Sequence, residues 1–394
     1  MSYDFNYVID RKNTNSLKYD FAVERGKPSD ILPLWVADMD FRTPDEVLDA
    51  MQQTIAHGIF GYSEVKKDYF DILHNWFYKH FAWGPKEEWL VKTPGVVFAI
   101  TLAIRAFSEQ GDSILIQQPV YYPFHEAIKL NNRKLVVNTL TYENNEYTID
   151  FNDFEQKIIS EKVKLFILCS PHNPVGRVWS LEELTRLGEI CLKHKVIVVS
   201  DEIHCDFTYP GYHHTIFAGI NEEIADNCIL CTSPSKTFNL AGLQISNIFI
   251  KNKKLRDKFN LELEASGYSQ LNTVGLAACK AAYEYGDLWL TQLKAYLYDN
   301  LNFLRNFVSN RLPGIKLVEP QGTYLIWLDC TELKLSRKEM EQLIVYKAKL
   351  WLDPGHIFGA SGEGFERVNI ACPRSILQKA LEQLESALTE IRQK

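Results

Sequence analysis

Val163-Lys164-Leu165-Phe166-Ile167-Leu168-Cys169 runs straight into Ser170-Pro171-His172-Asn173-Pro174-Val175-Gly176, and this stretch decides the fold. Its first half is short and almost wholly apolar, as a strand covered on both faces must be. Its second half is built of turn-forming and hydrogen-bonding residues. The same change of character occurs twice more. Val196 to Ser200 leads into Asp201-Glu202-Ile203-His204, and Cys228 to Thr232 leads into Ser233-Pro234-Ser235-Lys236. Between the first two runs, Ser180 and Glu183 have the spacing of a capping box, ahead of Leu184, Leu187 and Ile190 on one helical stripe. Strand and helix alternate from 163 to 232, which predicts parallel crossovers and a layered α/β domain.

Working outward, further apolar runs at Ser113–Ile116 and Ile245–Ile250 extend the strand set. Thr43-Pro44-Asp45-Glu46 reads as a helix start with a threonine cap and a proline at the first position, followed by Val47, Leu48, Met51 and Ile55 and ended by Gly58. Amphipathic stretches from about Leu271 to Tyr285 and from about Leu288 to Val308 predict two more helices. The tail differs: strand over 322–329, helix over 337–349, strand over 366–371 and a final helix over 375–391. The expected fold class is therefore α/β, with a mostly parallel central sheet in a large domain (46–287) and a smaller α+β domain (288–394). The segment 1–45 is too short and irregular to fold alone, and is expected to pack on the smaller domain or on a partner subunit.

The composition narrows the function classes. The chain has 394 residues, 46% of them hydrophobic and 24% charged, with a net charge of −7. No long basic run offers a track for a phosphate backbone, so no nucleic-acid partner is expected. No apolar run reaches the roughly 18 residues that a membrane span needs, and Met1 to Asp10 is not a secretion segment. A cytoplasmic protein is expected. The 8 cysteines sit mostly inside apolar runs; Cys228 and Cys231 have C-x-x-C spacing, but they lie inside such a run and supply only half a zinc site, so this pair reads as structural.

In open α/β sheets the site lies beyond the carboxyl ends of the strands. If the three runs are neighbours, Asn173, Asp201 and Lys236 converge there. Singly, each has an ordinary explanation: a turn for Asn173-Pro174, a helix cap for Asp201, a solvated lysine, a hydrogen-bonded structural histidine for His204. Together they suit an aldehyde cofactor bearing a pyridine ring and a phosphate. The lysine amine condenses with the aldehyde, the aspartate pairs with the protonated ring nitrogen, and the Asn173 amide donates to the ring oxyanion. Ser233 and Ser235 can donate to phosphate. Thr93-Pro94-Gly95-Val96-Val97 opens a helix running to Phe107, whose free N–H groups favour an anion. Tyr121 can stack on the ring.

With these residues in view, the chain resembles the fold-type I pyridoxal 5'-phosphate (PLP) enzymes of the class I/II aminotransferase superfamily, and within them the MalY/PatB-type cystathionine β-lyases. The resemblance spans essentially the whole chain. It is strongest at Pro33-Leu34-Trp35-Val36-Ala37-Asp38-Met39-Asp40-Phe41, at 170–176, at 201–206 and at Ser233 to Gly242. It implies PLP held on Lys236 as a Schiff base, Asp201 at the ring nitrogen, Asn173 at the ring oxyanion, and Tyr121 stacked on the ring. It also implies Val96, Val97, Ser233 and Ser235 on the phosphate side and His204 near the oxyanion. Arg374 matches the arginine that clamps the substrate carboxylate, a task suited to a rigid guanidinium fork. Tyr62 matches an aromatic that reaches the neighbouring subunit's phosphate, which implies a homodimer. Gln244 stands where aspartate-type aminotransferases often have arginine. The implied activity is β-elimination from L-cystathionine or a related L-cysteine S-conjugate, giving a thiol, pyruvate and ammonia. The alternatives are an aminotransferase, or a lyase that also controls a transcription regulator by protein contact. Trp35, Asp38, Met39, Tyr62 and Tyr324 are candidates for the entrance, with core packing an equal reading for Met39 and Tyr324.

Overall fold

A computed structural model of the chain describes residues 3–392. The apolar runs form the strands β1 (Leu90–Thr93), β2 (Ser113–Gln118), β3 (Lys134–Thr139), β4 (Leu165–Cys169), β5 (Ile197–Asp201), β6 (Cys228–Thr232) and β7 (Ser246–Phe249). They make one seven-stranded sheet in the order β1-β7-β6-β5-β4-β2-β3. Pairing is parallel from β6 through to β3, and β7 runs antiparallel to both of its neighbours. The register sets Cys169, Asp201 and Cys231 side by side across β4, β5 and β6. The three polar stretches therefore leave the sheet from one edge.

Both faces of the sheet are covered. Along β4, Phe166 and Leu168 enter one core while Leu165 and Ile167 enter the other, as a two-residue period requires. Cys228 and Cys231 divide between the two cores in the same way, so they cannot share a metal. All eight cysteines are buried and free, Cys228 and Cys231 in the structural role expected of that pair.

The helices that matter here are α1 (Asp45–His57), α2 (Lys67–Phe81), α3 (Val96–Phe107), α4 (Leu181–Lys193), α5 (Thr273–Tyr285), α6 (Asp287–Arg311) and α7 (Arg374–Arg392). The capping box of α4 forms: Ser180 Oγ accepts from the Glu183 amide at 3.1 Å, and the Glu183 carboxylate accepts from the Ser180 amide at 2.8 Å. The start of α1 differs from expectation. Pro44 has an extended ψ of 144° and itself occupies the cap, so no side chain caps the helix and the Thr43 hydroxyl is buried without a partner.

The tail forms a second sheet from β8 (Lys316–Leu317), β9 (Leu325–Asp329), β10 (Asp353–Pro354) and β11 (Phe365–Asn369), antiparallel throughout in the order β8-β9-β11-β10. The helix expected over 337–349 runs from Arg337 to Lys347, and its second half, Gln342–Lys347, winds as a π-helix. The N-terminal segment packs on this side of its own chain. Leu32–Pro33 pairs in parallel with Leu350–Trp351, and Phe5 lies edge-on to Trp289 of α6.

Candidate active site

Asp201 is the last residue of β5 and is buried, its carboxylate accepting the Ile203 amide at 3.1 Å. Lys236 lies in a short helical turn after β6, with Ser233 as its cap. Its ammonium donates to the Ala37 carbonyl at 2.8 Å. That carbonyl also accepts the Tyr324 hydroxyl at 3.1 Å. The stretch 35–40 thus crosses the carboxyl edge of the large sheet as a strap. The small sheet holds it through Asn369, whose amide donates to the Val36 and Asp38 carbonyls. The N-terminal segment holds it through charge. Arg11 pairs with Asp38 at 2.6 Å and with Asp40 at 2.7 Å, and the fully buried Lys18 ammonium sits 2.9 Å from Asp40.

The electrostatics follow from burial. Taking the Lys236 amine out of water pulls its pKa down to about 8; the Arg367 charge adds to this, and Asp38 and Asp201 oppose it. Burial pushes Asp201 up to about 7, with the Lys236 charge opposing. Each group therefore feels the other. His204 is held well below the usual histidine range by burial and by the charges of Lys236 and Arg367. Burial alone would raise Asp38, but the Arg11 hydrogen bond and the charges of Lys18, Arg11 and Lys236 outweigh it and keep the carboxyl low.

Asn173 follows β4, and its orientation is fixed by a neighbour absent from the sequence-based set. Arg367, in the middle of β11, donates to Asn173 Oδ1 at 3.0 Å. Arginine has no acceptor, so this bond turns the Asn173 NH₂ toward the crevice as a donor. The same guanidinium pairs with Asp353 and donates to the Trp35 carbonyl at 2.7 Å. Burial raises the Asp353 carboxyl to about 6 despite the arginine charge.

Arg374 does not join this cluster, which corrects the expectation for the carboxylate clamp. It opens α7, where its Nε donates to Asn300 Oδ1 at 2.7 Å and its guanidinium lies 4.6 Å from the Phe303 ring centre. It lies beyond the end of β11 and packs back on α6, whereas Arg367 projects from the strand itself. The sequence carried a signal for Arg367. A strand reading Phe-Glu-Arg-Val-Asn places two charges in a buried run, which is costly unless they are paired or functional.

The remaining expected residues fall around the same edge. Tyr121 donates its backbone amide to the Asn173 carbonyl at 3.0 Å, and its hydroxyl feels Arg367 and Asp201. The antiparallel β7 begins beside the end of β1, where Thr93 and Ser246 hydroxyls are 2.7 Å apart. This brings the start of α3 next to the turn after β6, where Ser233 Oγ donates to the Ile245 carbonyl at 2.6 Å. Within α3 the first amide bonded back is that of Ala99, to Gly95, which leaves the Val96 and Val97 amides free for an anion. Ser235 Oγ lies 2.8 Å from Ser233 Oγ. His204 Nδ1 and Ser170 Oγ are buried without a hydrogen-bond partner. Met39 and Tyr324 are core residues, and Gln244 is exposed. Tyr62 is 96% exposed and reaches none of this cluster. A half-buried amine within charge reach of a buried carboxylate, an oriented amide donor, a free helix start and unpartnered polar atoms fit a pyridine aldehyde phosphate.

A family model described as aminotransferase class I and II matches residues 29–384. The chain belongs to that family. It is 42% identical to the cystathionine β-lyase PatB of Bacillus subtilis (strain 168), over 98% of this chain and 100% of that one. Its structure matches cystalysin from Treponema denticola, which contains a PLP cofactor, with a TM-score of 0.96 and 39% identity over 99% of this chain and 100% of that one. It also matches the PLP-bound C-S lyase from Staphylococcus hominis, solved in the external aldimine form with L-cycloserine. Here the TM-score is 0.92, with 34% identity over 98% of each chain.

Proposed function

We propose that this protein is a PLP-dependent carbon–sulfur β-lyase that cleaves L-cystathionine or a related L-cysteine S-conjugate to a thiol, pyruvate and ammonia. The observation that carries the reading is one crevice in which the Lys236 amine feels both the buried Asp201 carboxylate and the buried Arg367 guanidinium. Full-length relatives named as cystathionine β-lyase and C-S lyase support it.

When bound, PLP supplies a carbonyl that condenses with amines and a ring that accepts an electron pair from the substrate Cα. The chain's own residues do the rest. Lys236, whose amine burial holds below the usual lysine range, takes the Cα proton and can return one to the departing sulfur. Asp201 would hold positive charge at the pyridine nitrogen, and the NH₂ of Asn173 would donate to the ring oxyanion. Val96, Val97, Ser233 and Ser235 would hold the phosphate, and Tyr121 would cover the ring. Arg367, oriented by Asp353, Asn173 and Trp35, grips the substrate carboxylate. The C–S bond breaks, sulfur leaves as a thiol, and the three-carbon remainder takes up water to give pyruvate and ammonia.

The protein works as a homodimer in which Tyr62 reaches the partner's phosphate site. The exposed Ile55, Ile59, Phe60 and Tyr62, close together in sequence, support this pairing. The test is pyruvate release from cystathionine, cystine and S-alkyl cysteines. Release without any added keto acid supports the lyase. Amino exchange that requires a keto acid, with no pyruvate release, makes the protein an aminotransferase instead.

A further inference from the structure

A cavity of about 540 Å³ lies in the small-domain half of the chain, apart from the crevice. Its volume is in the range of small-molecule sites. Met340, Ile344, Val345, Trp351 and Leu352 supply apolar walls, and the π-helical segment Gln342–Lys347 forms part of the lining. A π-helical turn inside an α-helix is rare and concentrates at functional sites.

The charged groups around the cavity divide in two. Lys27 pairs with Glu341 at 3.0 Å and Arg337 with Glu363, so these four balance one another, and Lys338 and His356 also line the cavity. Glu366 is different. It is the one buried charged residue of the lining, 4% exposed, and its carboxylate accepts no hydrogen bond and joins no ion pair among the described residues. A buried carboxyl without a partner costs stability. Burial and the nearby Asp353 carboxylate push it up to about 8, with the Lys27 charge opposing. No step of the lyase chemistry uses it.

We propose that this cavity is a second ligand site, for a small apolar cation that seats its ammonium on Glu366, and that its occupancy is felt at the carboxylate clamp. Apolar walls suit a hydrocarbon or aryl body, and the lone Glu366 carboxyl suits one cationic donor, releasing its proton to solvent as the ammonium seats. The link to the clamp is short. Glu366 precedes Arg367 in β11, so the two project from opposite faces of the strand. Pro354 lines the cavity next to Asp353, which pairs with Arg367. Trp351 lines it and stacks 4.5 Å from Trp35, whose carbonyl accepts from Arg367.

The coupling, but not the binding, rests on the function proposed above, and the experiment separates them. N,N-dimethylphenethylamine is a suitable probe, because a tertiary amine cannot condense with the cofactor aldehyde. Titrated calorimetrically into the PLP-loaded full-length protein, it should bind once per chain. Glu366→Gln should weaken it by about tenfold or more, the loss of a charge-assisted bond. Ile344→Trp, which fills the cavity, should abolish binding while leaving the PLP absorbance intact. L-cycloserine in the crevice should not block the probe. Absence of saturable binding, equal affinity in both variants, or competition with L-cycloserine overturns the site. At saturation the probe should change KM for the cysteine conjugate about twofold or more, with kcat nearly constant, as a coupling through the clamp requires. Binding with unchanged KM overturns the coupling.

Discussion

In the large sheet, β4, β5 and β6 are apolar along almost their whole length, and polar groups begin only at their last residues or beyond: Ser170, Asp201, Ser233. In the small sheet, charge sits inside the strand. Glu366 and Arg367 lie mid-β11, both buried, with Asp353 on the neighbouring strand. The large sheet is a scaffold that delivers chemistry at an edge, where groups can approach a cofactor. The small sheet places the Arg367 charge in its interior and pairs it through Asp353, Asn173 and the strap carbonyl of Trp35. Strand ends tolerate exchange of chemistry, whereas a buried strand charge is tied to its partners.

The largest effect should come from the edge. Lys236→Ala removes the only proton carrier assigned to Cα, and pyruvate release should fall by about 10³-fold or more. Retained turnover would show that the carboxyl edge is not where the reaction occurs. Next comes the interior charge. Arg367→Lys keeps the charge but loses the planar fork, and should raise KM by about tenfold to a hundredfold with a smaller change in kcat. An unchanged KM would remove the small sheet from substrate binding.

The pH response of the cofactor-free protein sharpens the comparison further. In the folded chain Asp201 keeps its proton up to about pH 7, while an unfolded aspartate loses it near 4. Between these values the native state holds more protons, so stability falls as pH rises through this window. Asp201→Asn lacks this term, so its Tm should decline less from pH 5 to pH 7 than that of the parent protein. Parallel curves would mean that the edge carboxyl is not held protonated. The smallest effect is expected for Arg374→Ala. Loss of its bond to Asn300 and its contact with Phe303 should cost about 1 kcal/mol of stability, with kcat/KM changed by less than about twofold. A large fall in kcat/KM would restore Arg374 as the clamp.

Much of the scaffold was readable because its signals are local. The apolar runs at 165–169, 197–201 and 228–232 and the Ser180–Glu183 box each depend on residues a few positions apart. Asn173, Asp201 and Lys236 could be grouped because each follows such a run. The clamp could not be assigned this way. Arg367 and Arg374 are both arginines near the chain end, seven residues apart, and what separates them is which strand face or helix face each occupies. Thr43 does not act as the cap: the extended ψ of Pro44 moves the helix start by one residue. The strap depends on Ala37 meeting a lysine 199 positions away, which no local pattern encodes.

By itself the sequence determined the alternation of strand and helix, the large-sheet edge at which polar residues gather, and the lysine, aspartate and asparagine placed there, since periodicity and short motifs act over a few residues. Tertiary structure alone decided which arginine faces the crevice, which carbonyls of the strap receive Lys236 and Arg367, and that Glu366 is left unpaired beside a cavity. Those outcomes depend on contacts between segments far apart in the chain, whose relative positions are fixed only when two sheets and the N-terminal segment pack together.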